Sequence, residues 1–389
     1  MTQYRLFPFF LILYEFSTYL SNDMYLPAFP ILGSDFSVHD DRVQLTMTAW
    51  LFGNALLQLL IGPLSDRWGR RPVLFFGGVM FVVASLLCRY VTSFELFLLL
   101  RFIQGVGVST MMIPGYATIH ELYDDRAAIR LIALMGSFAV LAPMIAPFGG
   151  SLILEFYSWR LIFDVVGVLA LLSLSGLFFV MPESLVSRST TLGLKSLVAL
   201  YGRIIRTPRF MGASLSIGLV FGAVIVWIAE GPFLLMRHYH LSPMVYSLSQ
   251  IPIFSAYIIG AQFVRFFGER IETQKWIKVA LIFGIMSLLG VLILALMRCS
   301  NLFLLLGVMS CFMLSFGMLY APLSRMAMTA LDVPKGAISS GFYFLTTCCG
   351  VLGTFILAYL PGEGLLTFAI LMMSMVILAR VAFSWTHRL

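Results

Sequence analysis

FPFFLILYEFSTYLSNDMYLPAFP, Phe7 to Pro30, is apolar enough and long enough to cross a bilayer, yet it carries two carboxylates, Glu15 and Asp23. A charged side chain at bilayer depth costs at least about 2.5 kcal/mol, and such groups usually face a bundle interior or a watery cavity. The two acids are eight residues apart. At about 1.5 Å and 100° per residue they lie roughly 12 Å apart along a helix and about 80° apart around it. Both can therefore look into one cavity at two depths. A purely structural pair would be served more cheaply by Gln or Asn, so these positions read as working acids.

The rest of the chain fits a membrane setting. Its 389 residues are 60% hydrophobic and 11% charged, with a mean hydropathy of +0.97, which excludes an ordinary soluble domain. At roughly 30 residues per span with its connection, about twelve or thirteen spans fit. Twelve are expected, at residues 7–28, 43–63, 72–90, 95–119, 128–153, 160–181, 211–235, 244–265, 277–297, 302–325, 337–360 and 364–383. The first span reads as retained, because it holds two acids and no clean small-residue cleavage site follows. The fold class is therefore all-α membrane protein. The net charge of +7 comes from short basic groups between apolar runs, the pattern of membrane topology and not of nucleic-acid binding. Arg42, Arg89, Arg160, Arg237 and Arg298 fall on one side, Arg101 lies within a span, and the other Lys and Arg fall on the side of the termini. That bias puts both termini in the cytoplasm. The five cysteines have neither disulfide-framework nor metal-ligand spacing, and no metal or organic cofactor is expected.

The longest polar stretch divides the chain into residues 1–182, a cytoplasmic linker 183–209, and residues 210–389, two bundles of six helices. Parallel repeats of this kind hold substrate near mid-membrane between them. Within the linker, SLVALYGRIIR has the pattern of an amphipathic helix on the membrane face.

Four further constellations stand out. GPLSDRWGRRPV, Gly62 to Val73, reads as a loop with turns at Gly62 and Gly69, with Pro72 opening the next helix. Its Arg67, Arg70 and Arg71 set topology, but topology does not account for Asp66. Span four carries RFIQGVGVST, where Arg101 and Gln104 share a face and Gly105 and Gly107 permit close helix approach. Arg101 either snorkels to the outer interface or tunes the proton affinity of the two acids. At the inner end of that span, His120 reads as interfacial and Glu121 as a partner for the Gly62–Val73 arginines. Span five holds Ala142-Pro143-Met144-Ile145-Ala146-Pro147-Phe148-Gly149-Gly150, a bend with small residues for tight packing. Glu230 in span seven is either an interfacial residue or an additional transport acid, and Asp164 reads as interfacial near Arg160. Met309, Met313 and Met318 in span ten suit an adaptable greasy cavity or ordinary packing.

Together these motifs resemble the major facilitator superfamily, specifically its twelve-span drug/proton antiporters. Gly62–Val73 is similar to the family's loop 2–3 signature, RFIQGVGVST to its span-four signature, and Ala142–Gly150 to its antiporter motif, with Ala146 where Gly is usual. The resemblance covers the amino-terminal half through motifs and the carboxy-terminal half through span count and composition. It implies two six-helix bundles, with Glu15, Asp23 and Arg101 in proton and substrate coupling, and Asp66, Arg67, Arg70, Arg71 and Glu121 in a conformational switch. Ala142, Pro143, Ala146, Pro147 and Gly150 form the antiporter motif; Glu230 has no counterpart.

The expected function is proton-driven export of lipophilic compounds, cationic ones among them, from a monomer in the bacterial cytoplasmic membrane. The partners are protons, lipophilic small molecules and membrane lipids. No ATP site of the P-loop form is present in the sequence. An exporter of one metabolite or siderophore is the alternative within transport; a membrane sensor or scaffold is the alternative outside it. An enzyme is disfavoured, since the five histidines form no catalytic motif.

Overall fold

The computed structural model describes residues 6–185, 194–267, 271–360 and 364–387. Residues 186–193 of the expected linker, residues 268–270, and the basic residues Arg5, Arg188, Arg270 and Arg388 lie outside the described residues. Among those described, the regular structure is entirely helical.

The chain forms two compact units: Met1–Val38 with Ala49–Leu197, and His39–Thr48 with Val198–Leu389. The amino-terminal unit contains α1 (Phe7–Asp23), most of α2 (Leu45–Trp68), α3 (Arg70–Leu87), α4 (Phe94–Leu122), α5 (Asp125–Phe156) and α6 (Arg160–Val180). The carboxy-terminal unit contains α7 (Pro208–Phe233), α8 (Pro243–Phe267), α9 (Thr273–Leu296), α10 (Leu302–Met328), α11 (Lys335–Tyr359) and α12 (Leu365–Ser384). Between α6 and α7 the helix Leu194–Ile205 forms where an amphipathic one is expected.

Among the described residues, ten helices are long and apolar enough to cross a membrane, and α5, bent by 43° between Arg126–Phe138 and Leu141–Phe156, makes eleven. That bend sits four residues before Pro143, whose ring displaces the carbonyl one turn back. The twelfth expected span is the first. Its α-helix is 17 residues long and continues through a 3-10 turn, Leu26–Ala28, into a short helix, Phe29–Asp35. Pro27 explains the change of pitch: it has no N–H to give the Asp23 carbonyl.

The Gly62–Val73 stretch differs from its reading as a loop. α2 runs through Gly62 and Pro63 to Trp68, α3 begins at Arg70, and the turn is Gly69 alone, at φ +107°. An L side chain rarely takes that φ. Polar composition here marks a solvated helix end, not irregular backbone.

Helix contacts repeat between the units. In the first, a Cβ on Gly53 or Gly105 would fall on the backbone of Phe102 or Trp50, so α2 and α4 touch backbone to backbone. In the second, Gly260 and Gly317 bring α8 and α10 together in the same way, against Leu314 and Tyr257. Met309 and Met313 of α10 are fully packed in the core of their unit.

Candidate functional site

Among the described residues, the fully buried charged side chains are Glu15, Asp23 and Arg101, all in the amino-terminal unit. α1 places the two acids as the spacing requires, Asp23 being its last helical residue. The Glu15 carboxylate accepts from the Tyr116 hydroxyl at 2.7 Å and from Tyr19 at 3.5 Å, both through Oε1. Its Oε2 is buried with no protein partner. Asp23 accepts from the Asn22 side-chain amide at 2.8 Å. The stretch Ala142–Gly150 reaches this end of α1 directly: a Cβ on Gly150 would fall on the Met24 carbonyl, while Ala142 and Ala146 are buried. Pro143 and Pro147 thus bend and pack the helix that backs Asp23.

Arg101 does not snorkel; none of its surface is exposed. Its guanidinium donates to the Ser21 carbonyl at 2.8 Å, to Gln104 Oε1 at 2.6 Å and to the Tyr25 hydroxyl at 3.2 Å. It also lies 4.4 Å from the centre of the Tyr25 ring. Gln104 passes the network on to Ser85 at 2.8 Å, and Trp50 donates to the Ser21 hydroxyl at 3.2 Å. Arg101 makes no ion pair within 4 Å among the described residues, so it pins the backbone of α1 just before Asp23 without neutralising it.

Sequence reasoning missed several polar groups here. Tyr116 and Tyr19 hold Glu15, and Asn54 and Gln58 of α2, one turn apart, each have a buried side-chain oxygen without a protein partner. The Asn22 oxygen, the Tyr14 hydroxyl and Arg101 Nε are in the same condition. A sealed core leaves few such atoms, each costing about 1–3 kcal/mol. Among the described residues, six such atoms fall in this one unit, where ordered water or a polar ligand would satisfy them. The i, i+4 spacing of Asn54 and Gln58 in an apolar helix was the available signal.

The inner-face cluster is a second constellation. Arg70 pairs with Asp66 at 2.5 Å and with Glu121 at 3.1 Å, and donates to Ser65 at 2.6 Å. Arg67 is exposed and makes no ion pair among the described residues. Arg71 instead donates to the Phe178 carbonyl at 2.7 Å. Glu183, read as the first residue of a linker, is part of this cluster. Its carboxylate accepts from the backbone N–H groups of Arg70 and Arg71 at 2.9 and 3.2 Å, capping the start of α3. The N-terminus of a helix favours an anion. Ser184 donates to Glu121 at 2.5 Å, tying the end of α6 to α4. His120 is exposed, as expected of an interfacial residue.

Exposed ion pairs are worth only about 0–1 kcal/mol each. Their loss should move a conformational balance more than it unfolds the protein. If this cluster is the conformational switch that the motifs imply, Arg70→Ala and Asp66→Asn each lower transport several-fold, on the order of 1 kcal/mol, while purified protein keeps its affinity for the compounds it carries. Loss of binding in a well-folded variant would count against that role.

The other acids have partners of their own. Asp164 pairs with Arg89, and Arg160 with Asp35 at 3.0 Å. Within the carboxy-terminal unit the Glu230 carboxylate accepts from the buried Gln44 amide at 2.5 Å.

Many apolar helices, with acids and an arginine buried inside one bundle, define a multi-pass membrane transporter. The chain belongs to the Major Facilitator Superfamily, whose model matches residues 11–358 and therefore both units. Its relatives include the "Multidrug transporter MdfA" of Yersinia pestis bv. Antiqua (strain Angola), 32% identical over 92% of this chain and 88% of that one. The protein of the same name from Escherichia coli O157:H7 is 35% identical over 88% of this chain and 84% of that one. Solved structures agree on the fold. The xylose transporter XylE from E. coli, in a partially occluded inward-open conformation, covers all of this chain with 98% of its own at a TM-score of 0.77 and 15% identity. A bacterial homolog of the human lysosomal transporter Spinster, inward-facing and unoccupied, covers 99% with 97% of its own at a TM-score of 0.74 and 16% identity. The family is one of transporters, not enzymes.

Proposed function

We propose that the chain exports lipophilic compounds, cations among them, in exchange for protons. The observation that carries this reading is the pair of buried carboxylates on α1, one with an oxygen that no protein group satisfies, in a chain whose relatives bear the name multidrug transporter. Drug entering from the inside favours release of protons from Glu15 and Asp23. Opening to the outside lets protons displace the drug. A buried carboxyl holds its proton when desolvated and releases it to water when a cation approaches or the site is hydrated. Alternating access to water therefore alternates affinity. Arg101 holds the α1 backbone beside Asp23 through both halves of the cycle. The Asp66–Arg70–Glu121 cluster biases which side is open. The exporter is a monomer of the bacterial cytoplasmic membrane, with both termini and the 183–209 segment in the cytoplasm, as the Lys and Arg bias directs.

Purified protein in liposomes with an imposed pH gradient should concentrate several structurally unrelated lipophilic compounds, with counterflow of protons. Reporter fusions at the C-terminus and in 183–209 should both report cytoplasm. Flux that ignores the pH gradient would overturn the coupling. Strong flux of one compound only would turn the reading to a dedicated exporter, and a periplasmic reporter signal would overturn the topology.

A further inference from the structure

The carboxy-terminal unit contains a cavity of about 260 Å³ between the short helix Asp40–Val43 and the end of α7, room for far more than one water. Asp40, Asp41, Gln44, Glu230, Phe233 and Arg237 line it. Three carboxylates outnumber its two basic groups, the Arg237 guanidinium and the His238 imidazole, and the guanidinium is paired with Asp40. Directly after Phe233 the chain makes a π turn, Leu234–His238, which widens the helix and is commonest at functional sites.

Gln44 gives the cavity direction. It is 2% exposed, and its amide nitrogen is committed to Glu230. Its Oε1 is buried with no protein partner. A buried acceptor without a donor is unfavourable until a ligand supplies one. The cavity therefore presents an unmet acceptor beside a carboxylate, on a net negative wall with an aromatic side. Its complement is a cation that carries N–H donors. Arg237 shows this chemistry within the protein: its guanidinium sits on Asp40 and 5.9 Å from the centre of the Phe233 ring. No group of three His, Cys, Asp or Glu side chains placed to hold a metal ion occurs among the described residues.

We propose that this cavity is a subsite for organic cations bearing N–H groups (amines, amidines and guanidines), with Glu230 as the charged acceptor and Gln44 as the neutral one. It lies in the unit that lacks Glu15 and Asp23, so it recognises charge without taking part in the proton step. The proposal rests on the transport reading and names the substrate class that reading left open.

The test measures binding of two cations to the full-length protein in nanodiscs, without any gradient. Benzamidine carries N–H donors; tetraphenylphosphonium carries none. Glu230→Gln is expected to weaken benzamidine about tenfold or more, as loss of a charged hydrogen bond does. Gln44→Leu should weaken it about threefold or more, and neither variant should change tetraphenylphosphonium by more than about twofold. No benzamidine binding by the wild type, no change in either variant, or equal weakening of both probes overturns the proposal. Should Glu230→Gln fail to fold, as size-exclusion would show, Gln44→Leu decides by the same criteria. Benzamidine binding at this site without pH-driven flux keeps the subsite and overturns transport; flux without benzamidine binding does the reverse.

Discussion

The double variant Glu15→Gln/Asp23→Asn is expected to fold normally and to lose pH-driven flux entirely. Both replacements are nearly isosteric and keep an oxygen to accept from Tyr116 and from Asn22. Removing a buried charge relieves its desolvation, so stability should hold or rise. The single variants should each retain part of the flux, because two interacting carboxylates titrate as a pair and the remaining one takes over. Drug added to detergent-solubilised wild type should release protons, and the double variant should release none. Cationic drugs should suffer more than neutral ones, having lost a counter-charge as well as a proton carrier. Membrane potential separates the two cases further, since each net charge moved is worth about 2.3 kcal/mol per 100 mV. Exchange of one monovalent cation for one proton should ignore voltage, while neutral-drug export should respond to it. A double variant that still concentrates a neutral drug along a pH gradient would mean that coupling resides elsewhere.

What could be read from the sequence follows from how local each signal is. Two acids in one apolar run are a local contradiction, and α1 places them as a single helix would. The Ala-Pro repeat is likewise local, and it announces the 43° bend of α5. Arg101 could not be settled in the same way. Its position near the start of α4 allows escape to the interface, and the groups that turn it inward, the Ser21 carbonyl and the ring and hydroxyl of Tyr25, lie about eighty residues away. Glu183 was hidden for a related reason. It stands at the edge of a polar stretch that looks like a linker, and its partners are backbone N–H groups, which have no residue signature. The Gly62–Val73 stretch failed in the opposite sense. Its polarity suggested irregular chain, but a helix end in solvent is equally polar. The second unit carries no fully buried charge among the described residues, and its buried polar groups are neutral ones such as Gln44, which composition does not separate from ordinary packing.

Glycine at the α2–α4 crossing offers the largest structural effect from the smallest change. Gly105→Ala is expected to lower thermal stability and to reduce transport at least tenfold, although alanine is the better helix former by about 1 kcal/mol. The added methyl would fall on the Trp50 carbonyl, with the Asn54 backbone nitrogen 2.9 Å away. Backbone cannot swing aside as a side chain can, so the two helices must separate. Overpacking of this kind costs about 1–3 kcal/mol, more than the propensity gain. Separation also disturbs function, because Trp50 donates to Ser21 and Gln104, next to Gly105, receives Arg101. The link that holds α1 beside Asp23 loosens at both ends. Gly307→Ala on α10 is the matched control: nothing lies within 4 Å of its added methyl, so propensity alone acts and stability should be unchanged or slightly higher. Thermal unfolding of both variants in detergent, with efflux measured in the same preparations, decides the matter. Equal stability and efflux in the two would show that α2 and α4 have slack at this crossing, and that the close backbone contact does not position Arg101.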